Sequence, residues 1–178
     1  PAAELPVQEE CDILVVGGGA AGHSAAIAAA RAGAKNIILL ERYGYMGGDV
    51  TGGYVIMVPN LSWYDKSFVR GLQEEWFTRL SKIPGAVTAP GLDQVGCTDP
   101  ALLHPWRAFH DCVSRDGYGG CKPSCLVRSV YFEPNQLKIE MDKMLLEHQD
   151  SIRVMYHSWG CKPILEDGAV KGVIFESK

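Results

Sequence analysis

The chain has 178 residues, of which 47% are hydrophobic and 21% charged, as in an ordinary globular protein. This length allows one domain with a real core and excludes two large ones. The net charge is −4, from 17 basic and 21 acidic residues without a basic run, which argues against nucleic acid or an anionic membrane surface as the main partner.

The first forty residues predict a strand, a helix and a second strand. Residues 11–16 are apolar and rich in β-branched side chains, and they end abruptly at three glycines, as a buried parallel strand does. Residues 20–32 are rich in alanine and are followed by Gly33, which predicts a helix with a glycine C-cap. Residues 37–40 predict the second strand, so the segment has the size of one βαβ crossover.

The remaining elements predict an α/β fold with a parallel Rossmann-type sheet, in one domain over residues 1–178. Residues 67–80 predict a helix, and residues 83–128 predict an irregular insertion. Pro134 suits the first turn of a helix that continues to residue 148. A strand region over residues 152–162, the turn at residues 166–168 and a return strand over residues 170–175 predict a C-terminal β-hairpin.

The first motif with a chemical meaning is Gly17-x-Gly19-x-x-Gly22, between the first strand and the helix. Gly17 allows a tight turn, Gly19 lets the backbone approach a pyrophosphate, and Gly22 permits close packing of helix on strand. The helix N-terminus at Ala20 and Ala21 offers unpaired N–H groups and a partial positive charge to phosphates. The motif predicts a dinucleotide site, against the alternative of a purely structural glycine-rich turn.

An acidic residue closes the second strand. Glu41 lies nineteen residues after Gly22, where its carboxylate can accept hydrogen bonds from a ribose. A carboxylate suits a free ribose 2′-OH, so the sequence disfavours NADP, and Arg42 weakens that exclusion only slightly. The next residues, RYGYMGGDVTGG, form a loop for which a plain NAD dehydrogenase has no mechanical need. A longer cofactor does need a chain that runs beside its pyrophosphate, ribityl and isoalloxazine, so FAD is favoured.

This loop resembles that of FAD-dependent oxidoreductases of the glutathione-reductase-like Rossmann class, in the branch near fumarate reductase and succinate dehydrogenase flavoproteins and the heterodisulfide reductase flavin subunit. That branch shows Glu-Arg-x-Gly-x-x-Gly-Gly followed by small residues, which residues 41–48 and 51–53 match. The match is specific over residues 11–55 and looser over residues 131–178. The resemblance implies an enzyme that transfers a hydride or an electron pair between a small organic substrate and an acceptor.

The resemblance also implies a cofactor site. Residues 47, 48 and 51–53 are expected to border the flavin, Glu41 to bind the adenosine ribose, and residues 159–161 to pass the adenine. Residues 43–55 contain no histidine that could tether the flavin, so non-covalent FAD is expected. No catalytic residue and no metal ligand are predicted. The predicted cofactor-binding residues are Gly17, Gly19, Ala20, Ala21, Gly22, Glu41, Arg42, Gly47, Gly48, Thr51, Gly52, Gly53, Trp159, Gly160 and Cys161.

The FAD-binding domain is expected to be incomplete on this chain. Flavoproteins of this kind continue with another strand and an Ala-Thr-Gly-type segment that closes over the FAD, and the sequence stops at Lys178 before one. We therefore expect either a fragment or one chain of a multi-chain complex, an oligomer in which another polypeptide completes the flavin and substrate sites. Two alternatives stay open: a non-catalytic subunit that holds the cofactor for a partner, and an NAD-binding dehydrogenase domain.

The N-terminal sequence makes a cytoplasmic location the default expectation. Residues 1–10 lack the layout of a signal peptide, and no segment has the roughly 18 apolar residues of a membrane span. The six cysteines are therefore expected to be mostly reduced thiols. Cys121 and Cys125, with Cys97 and Cys112 upstream, lack the two-residue spacing of most zinc and cluster ligands, although a metal site, a disulfide or a redox-active pair stays an alternative.

Overall fold

The computed structural model describes residues 4–59, 61–63, 66–104 and 125–178. The chain divides into two compact units, the first made of residues 1–54 and 134–178 and the second of residues 55–133. Among the described residues, the helices of nine or more residues are α1 (Ala20–Arg31), α2 (Leu72–Leu80) and α3 (Pro134–Leu146). The strands are β1 (Ile13–Val16), β2 (Ile37–Leu40), β3 (Met57–Val58), β4 (Ser62–Trp63), β5 (Lys66–Ser67), β6 (Val87–Thr88), β7 (Val130–Phe132), β8 (Ile152–Met155), β9 (Ser158–Glu166) and β10 (Ala169–Ser177).

The first unit is built on a parallel sheet in the order β1-β2-β8. Ile13 pairs with Ile37, and Leu40 pairs with Met155, so the carboxyl ends of the three strands meet at one edge. All four side chains of β2 are buried because the strand lies in the middle of this sheet. The α/β fold with a parallel sheet, predicted from the apolar runs, is thereby confirmed.

Helices α1 and α3 bury their apolar faces in the same core. Ala26 and Ile27 of α1 have no exposed surface, and neither do Leu137 and Met141 of α3. Burying a leucine-sized side chain contributes about 1.5–3 kcal/mol, so these positions hold the helices in place. His23 also lies in this core, and its Nε2 donates a hydrogen bond of 3.0 Å to the carbonyl oxygen of Met141.

The predicted C-terminal hairpin is confirmed as β9 and β10, which pair antiparallel. Asp167 and Gly168 both have positive φ, 50° and 77°, as the central residues of a tight two-residue hairpin turn require. The strand region expected over residues 152–162 is divided in two. Residues 152–155 join the parallel sheet, the chain then turns at His157 with φ 54°, and β9 begins at Ser158.

The second unit contains short antiparallel pairings around α2. Its sheets have the orders β3-β7-β6 and β4-β5. The helix predicted from residue 67 begins only at Leu72, because Gly71 at φ 75° breaks the helical path. Phe77 of α2 packs on Phe132 of β7 with ring centroids 5.5 Å apart. Residues 100–104 are helical, and residues 105–124 of the expected insertion lie outside the described residues.

In the described part of the chain, no helix has both the length and the apolar character needed to cross a bilayer.

Candidate functional site

The candidate site lies at the carboxyl edge of the parallel sheet, where β1 ends at Val16 and β2 ends at Leu40. Gly17 leaves the sheet with φ 98°, a conformation that side chains rarely adopt, and its N–H donates to the Leu40 carbonyl at 2.8 Å. The chain therefore turns sharply out of β1 and straight into α1. Such an edge is where ligands bind in open α/β sheets.

The glycines of the first loop meet different surroundings. A Cβ on Gly22 would lie 1.8 Å from the Gly17 carbonyl oxygen, so α1 packs directly on the turn. A Cβ on Gly18 would lie 2.4 Å from the Met46 sulfur. A Cβ on Gly19 would meet nothing within 4 Å, so the backbone there faces open space. The open position is Gly19, where a pyrophosphate could approach the main chain.

The start of α1 is suited to an anion. Gly19 is its N-cap, no side chain caps the helix there, and its first turn contains no acidic residue. The backbone N–H groups of the first turn, at Ala20 and Ala21, precede the first intrahelical bond, from His23 N–H to the Gly19 carbonyl. These amides and the positive end of the helix dipole can hold a phosphate.

Glu41 is buried, with 6% of its surface exposed, and its carboxylate is fixed by the backbone. Oε2 accepts a hydrogen bond of 2.6 Å from Gly18 N–H, and Oε1 accepts one of 2.7 Å from Tyr43 N–H. Each carboxylate oxygen can accept a second bond. The carboxylate is therefore held ready for hydroxyl donors such as those of a ribose.

The second glycine-rich loop lies against the first. Gly47 N–H donates to the Gly18 carbonyl at 2.8 Å, and Gly47 also forms a parallel bridge with Gly19. Thr51 is fully buried, and its hydroxyl donates to the Met46 carbonyl at 2.5 Å. Thr51 thus uses its hydroxyl inside the loop. The two loops share one backbone surface beside Gly19.

Gly52 and Gly53 complete the second loop. Their N–H groups both donate to the Gly48 carbonyl, at 2.8 and 3.1 Å. A Cβ on Gly52 would lie 2.1 Å from the Tyr45 hydroxyl, and one on Gly53 would lie 2.8 Å from the Asp49 Cα. Because the clash at Gly53 is with backbone, close packing requires glycine there, whereas a side chain at position 52 would require the Tyr45 ring to move.

A cavity of about 220 Å³ opens between these loops and β9. Its lining includes six of the predicted cofactor-binding residues, and also Val16, Leu40, Tyr43 and Ser158, which were not predicted. Val16 could have been predicted from the sequence, because it is the last apolar residue before the glycine motif. In the structure, 51% of its surface is exposed. The cavity is lined by Val16, Leu40, Tyr43, Ser158, Gly17, Glu41, Arg42, Gly48, Trp159 and Gly160.

Residues 159–161 do not share one environment. Trp159 is 37% exposed and lines the cavity. Gly160 lies close to β1, because a Cβ there would be 2.8 Å from Val16 Cγ1. The exposed Cys161 is not among the described residues that line the cavity. The structure therefore brings Trp159 and Gly160, but not Cys161, to the cavity that Glu41 also lines.

A second cavity, of about 320 Å³, lies in the same unit between α3 and β8. Its walls are mostly apolar, and its polar edge is the pair in which the Tyr156 hydroxyl donates to Asp142 Oδ1. Burial, and then the Asp142 carboxylate, raise the pKa of Tyr156 well above its ordinary value. This tyrosine therefore stays protonated and acts as a donor.

The cysteines form no metal site in the part of the chain that the structure describes. No group of three or more His, Cys, Asp or Glu side chains that could hold a metal occurs there. Cys11, Cys97, Cys125 and Cys161 are free thiols, and burial raises the pKa of the Cys11 thiol. Cys112 and Cys121, named as possible ligands, lie outside the described residues.

Comparison with known proteins gives the family. A family model described as FAD dependent oxidoreductase matches residues 12–178. Urocanate reductase from Eggerthella lenta is 45% identical over an alignment of 145 residues, and the match covers 76% of this chain and 23% of that protein. The chain thus spans about a quarter of this relative's length.

Solved structures show the same fold at low identity. L-amino acid deaminase from Proteus vulgaris has a TM-score of 0.55 at 14% identity, covering 99% of this chain and 46% of that one. L-proline dehydrogenase from P. horikoshii has a TM-score of 0.52 at 14% identity, covering 95% of this chain and 50% of that one. The open backbone at Gly19 and the fixed Glu41 carboxylate suit the pyrophosphate and ribose of FAD. The family match covers nearly the whole sequence, and the chain belongs to the family of FAD dependent oxidoreductases, whose cofactor is FAD.

Proposed function

We propose that the protein is an oxidoreductase in which this chain binds the ADP part of FAD without a covalent bond. The observation that carries the proposal is the cavity of about 220 Å³ at the carboxyl edge of the sheet, which Glu41 and Gly48 line. The open backbone of Gly19 lies next to Gly48, where a Cβ would be 3.4 Å from the Gly19 Cα. A cavity of this size suits an adenosine better than a complete dinucleotide. The flavin end therefore extends beyond it, along the second glycine-rich loop.

Each part of the chain has a separate task in this proposal. The amides at Ala20 and Ala21 and the backbone of Gly19 hold the pyrophosphate. The Glu41 carboxylate accepts hydrogen bonds from the ribose hydroxyls, and Trp159 packs beside the adenine. FAD, when bound, supplies hydride and electron transfer at its isoalloxazine ring.

The second loop borders the flavin through its backbone. Gly47 and Gly48 lie against the first loop, and residues 51–53 continue from them. Because the Thr51 hydroxyl is used inside the loop, we expect its contribution to be the shape of the backbone rather than a bond to the cofactor. No histidine occurs in residues 43–55, which supports a non-covalent cofactor.

An absorbance spectrum before and after acid precipitation tests the cofactor. We expect a yellow protein with the flavin band near ~450 nm that moves to the supernatant on precipitation. Colour that stays with the precipitated protein would contradict non-covalent binding. A colourless protein that binds NAD in titration would favour the alternative of an NAD-dependent dehydrogenase.

Urocanate is the first substrate to assay. The relative that is 45% identical over 145 residues is named urocanate reductase. If chemically reduced protein reduces urocanate, measured as the loss of urocanate absorbance, the result would support the same substrate here. Oxidation of an added amino acid under the same conditions would instead favour the activity named for the structural relatives.

We propose further that another polypeptide segment completes the flavin and substrate sites, that the protein is a cytoplasmic oligomer, and that no membrane anchors it. The 23% share of the relative's length covered here supports the need for more chain. Native mass spectrometry of the purified protein tests this point. A mass above one 19.4 kDa chain is expected, and activity of the isolated chain alone would contradict it.

A further inference from the structure

Two stacked tyrosine rings of the second glycine-rich loop lie between two cationic side chains. Tyr43 and Tyr45 are stacked with centroids 5.3 Å apart and an interplanar angle of 2°. The Arg42 guanidinium lies 4.7 Å from the Tyr43 centroid and donates to its hydroxyl at 2.8 Å. On the other side, Lys138 Nζ lies 4.4 Å from the centroid of Tyr45. The two stacked rings thus lie between two cations.

Lys138 contacts both ends of this loop from α3. Its Nζ lies 4.4 Å from the Tyr45 ring centroid and 5.9 Å from the Tyr54 ring centroid, within the range of cation–π attraction. Asn135, one turn earlier on α3, orients the ammonium by accepting a hydrogen bond of 3.2 Å. One side chain outside the loop therefore contacts a tyrosine on each side of residues 47–53.

The loop needs such support because its backbone is unfavourable. Tyr54 has φ 55°, in the left-handed region that a residue with a side chain rarely adopts, and 63% of its surface is exposed. Conformations of this kind persist only where the surroundings fix them. Close to Tyr54, Gly52 packs against the Tyr45 hydroxyl, so Tyr45 and Tyr54 together determine the path of residues 51–53.

We propose that Lys138 is a positioning residue for the cofactor: by holding Tyr45 and Tyr54, it keeps residues 47–53 in the shape that the flavin requires. This inference rests on the proposed function above, since it takes those residues to border the flavin. The lysine itself acts through the two rings. Its charge, rather than the length of its side chain, supplies the attraction.

The test compares Lys138→Met with the wild type in the full-length natural protein. Methionine keeps an apolar side chain of comparable length and removes the charge. Losing two cation–π contacts should lower the affinity for FAD about fivefold to thirtyfold. The affinity is measured by titrating FAD into the cofactor-free protein and following flavin fluorescence. Hydrogen exchange at the amides of residues 51–53 in the cofactor-free protein should rise by a similar factor, because these amides are protected by bonds to the Gly48 carbonyl.

Two further variants separate positioning from a general loss of structure. Lys138→Arg keeps a cation that stacks on aromatic rings, and it should retain nearly wild-type FAD affinity and exchange. Lys35→Met removes a lysine from an exposed position between α1 and β2, and it should change neither quantity. Failure of Lys138→Arg to restore binding would overturn the role of charge.

The outcomes also distinguish this inference from the proposed function. A wild-type protein that does not bind FAD would overturn the proposed function. Unchanged exchange at residues 51–53 in Lys138→Met would overturn the positioning role, whatever the affinity for FAD. Faster exchange and weaker FAD in Lys138→Met, with both restored in Lys138→Arg, would support it.

Discussion

Adding one methyl group to Gly22 should destabilise the protein, whereas adding one to Gly19 should not. A Cβ at Gly22 would lie 1.8 Å from the Gly17 carbonyl oxygen and 3.3 Å from Val15 Cγ1. A backbone oxygen cannot rotate away, so α1 must move off the sheet. Overpacking costs about 1–3 kcal/mol, and alanine recovers about 1 kcal/mol of helix propensity. Because the clash is with the backbone, we expect a net loss of about 2 kcal/mol, or about 4–8 °C in melting temperature.

Gly19→Ala is the matched variant. Its Cβ meets nothing within 4 Å, and φ −62° suits alanine. The weaker N-cap preference of alanine and the lower entropy of its unfolded chain offset each other to within about 1 kcal/mol. The methyl group would nevertheless occupy the space where the pyrophosphate approaches. Weakening one or two charge-assisted hydrogen bonds lowers FAD affinity by about tenfold to hundredfold.

Thermal melting of the cofactor-free protein and FAD titration measure the two effects separately. Gly22→Ala should melt early, and Gly19→Ala should melt like the wild type and bind FAD weakly. Wild-type melting of Gly22→Ala would refute the packing argument. Wild-type FAD affinity in Gly19→Ala would refute the assignment of the pyrophosphate to this loop.

Three other substitutions have expected outcomes in urea unfolding. Glu41→Gln should cost about 1–3 kcal/mol, because an amide NH₂ replaces an oxygen that accepts a backbone N–H, and it should also weaken FAD. Burial, and then Asp142, raise the pKa of Tyr156, so the folded state keeps the phenol proton at a pH of about 10, where the unfolded state releases it. The free energy of unfolding should therefore fall above that pH, and Tyr156→Phe should lessen the fall. Arg128→Met should cost about 3 kcal/mol, because Glu74 loses a largely buried partner at 2.7 Å.

Each of these has a control or a contrary result. Exposed Glu166→Gln should leave stability unchanged, and equal losses in it and in Glu41→Gln would contradict the role of the fixed carboxylate. Equal alkaline losses in Tyr156→Phe and the wild type would show that this tyrosine does not carry the pH dependence. Arg79→Met breaks a more exposed ion pair and should cost less than about 1 kcal/mol; a cost equal to that of Arg128→Met would contradict the effect of burial.

The first unit could be predicted from the sequence because its signals are local and continuous. The apolar run at residues 37–40 became β2 with the predicted bounds, and the alanine-rich segment became α1. In the second unit the helix α2 could be predicted but the strands could not, because they have only two or three residues, too few for a period to be detected. Their pairing depends on distant partners, such as Val87 with Phe132.

The candidate site likewise combines features with a local sequence signal and features that depend on distant contacts. The glycine spacing and Glu41 were visible as a motif, because each residue type is demanded by its own local geometry. The bonds from Gly18 and Tyr43 to Glu41, and the position of Ser158 on the cavity wall, depend on how β1, β2 and β9 meet. Tyr43 gave no signal of its own, because its backbone N–H, and not its ring, holds the carboxylate.

The bridge between the two glycine loops has a consequence for protein engineering. Gly18 uses its N–H on Glu41 and its carbonyl on Gly47, and the Met46 sulfur fills the space above it. The first loop, transplanted alone into another scaffold, would lose the partners that define its shape. Residues 17–22 and 41–53 therefore form one structural module despite the helix and strand between them, and they should be transferred together if the nucleotide site is to be kept.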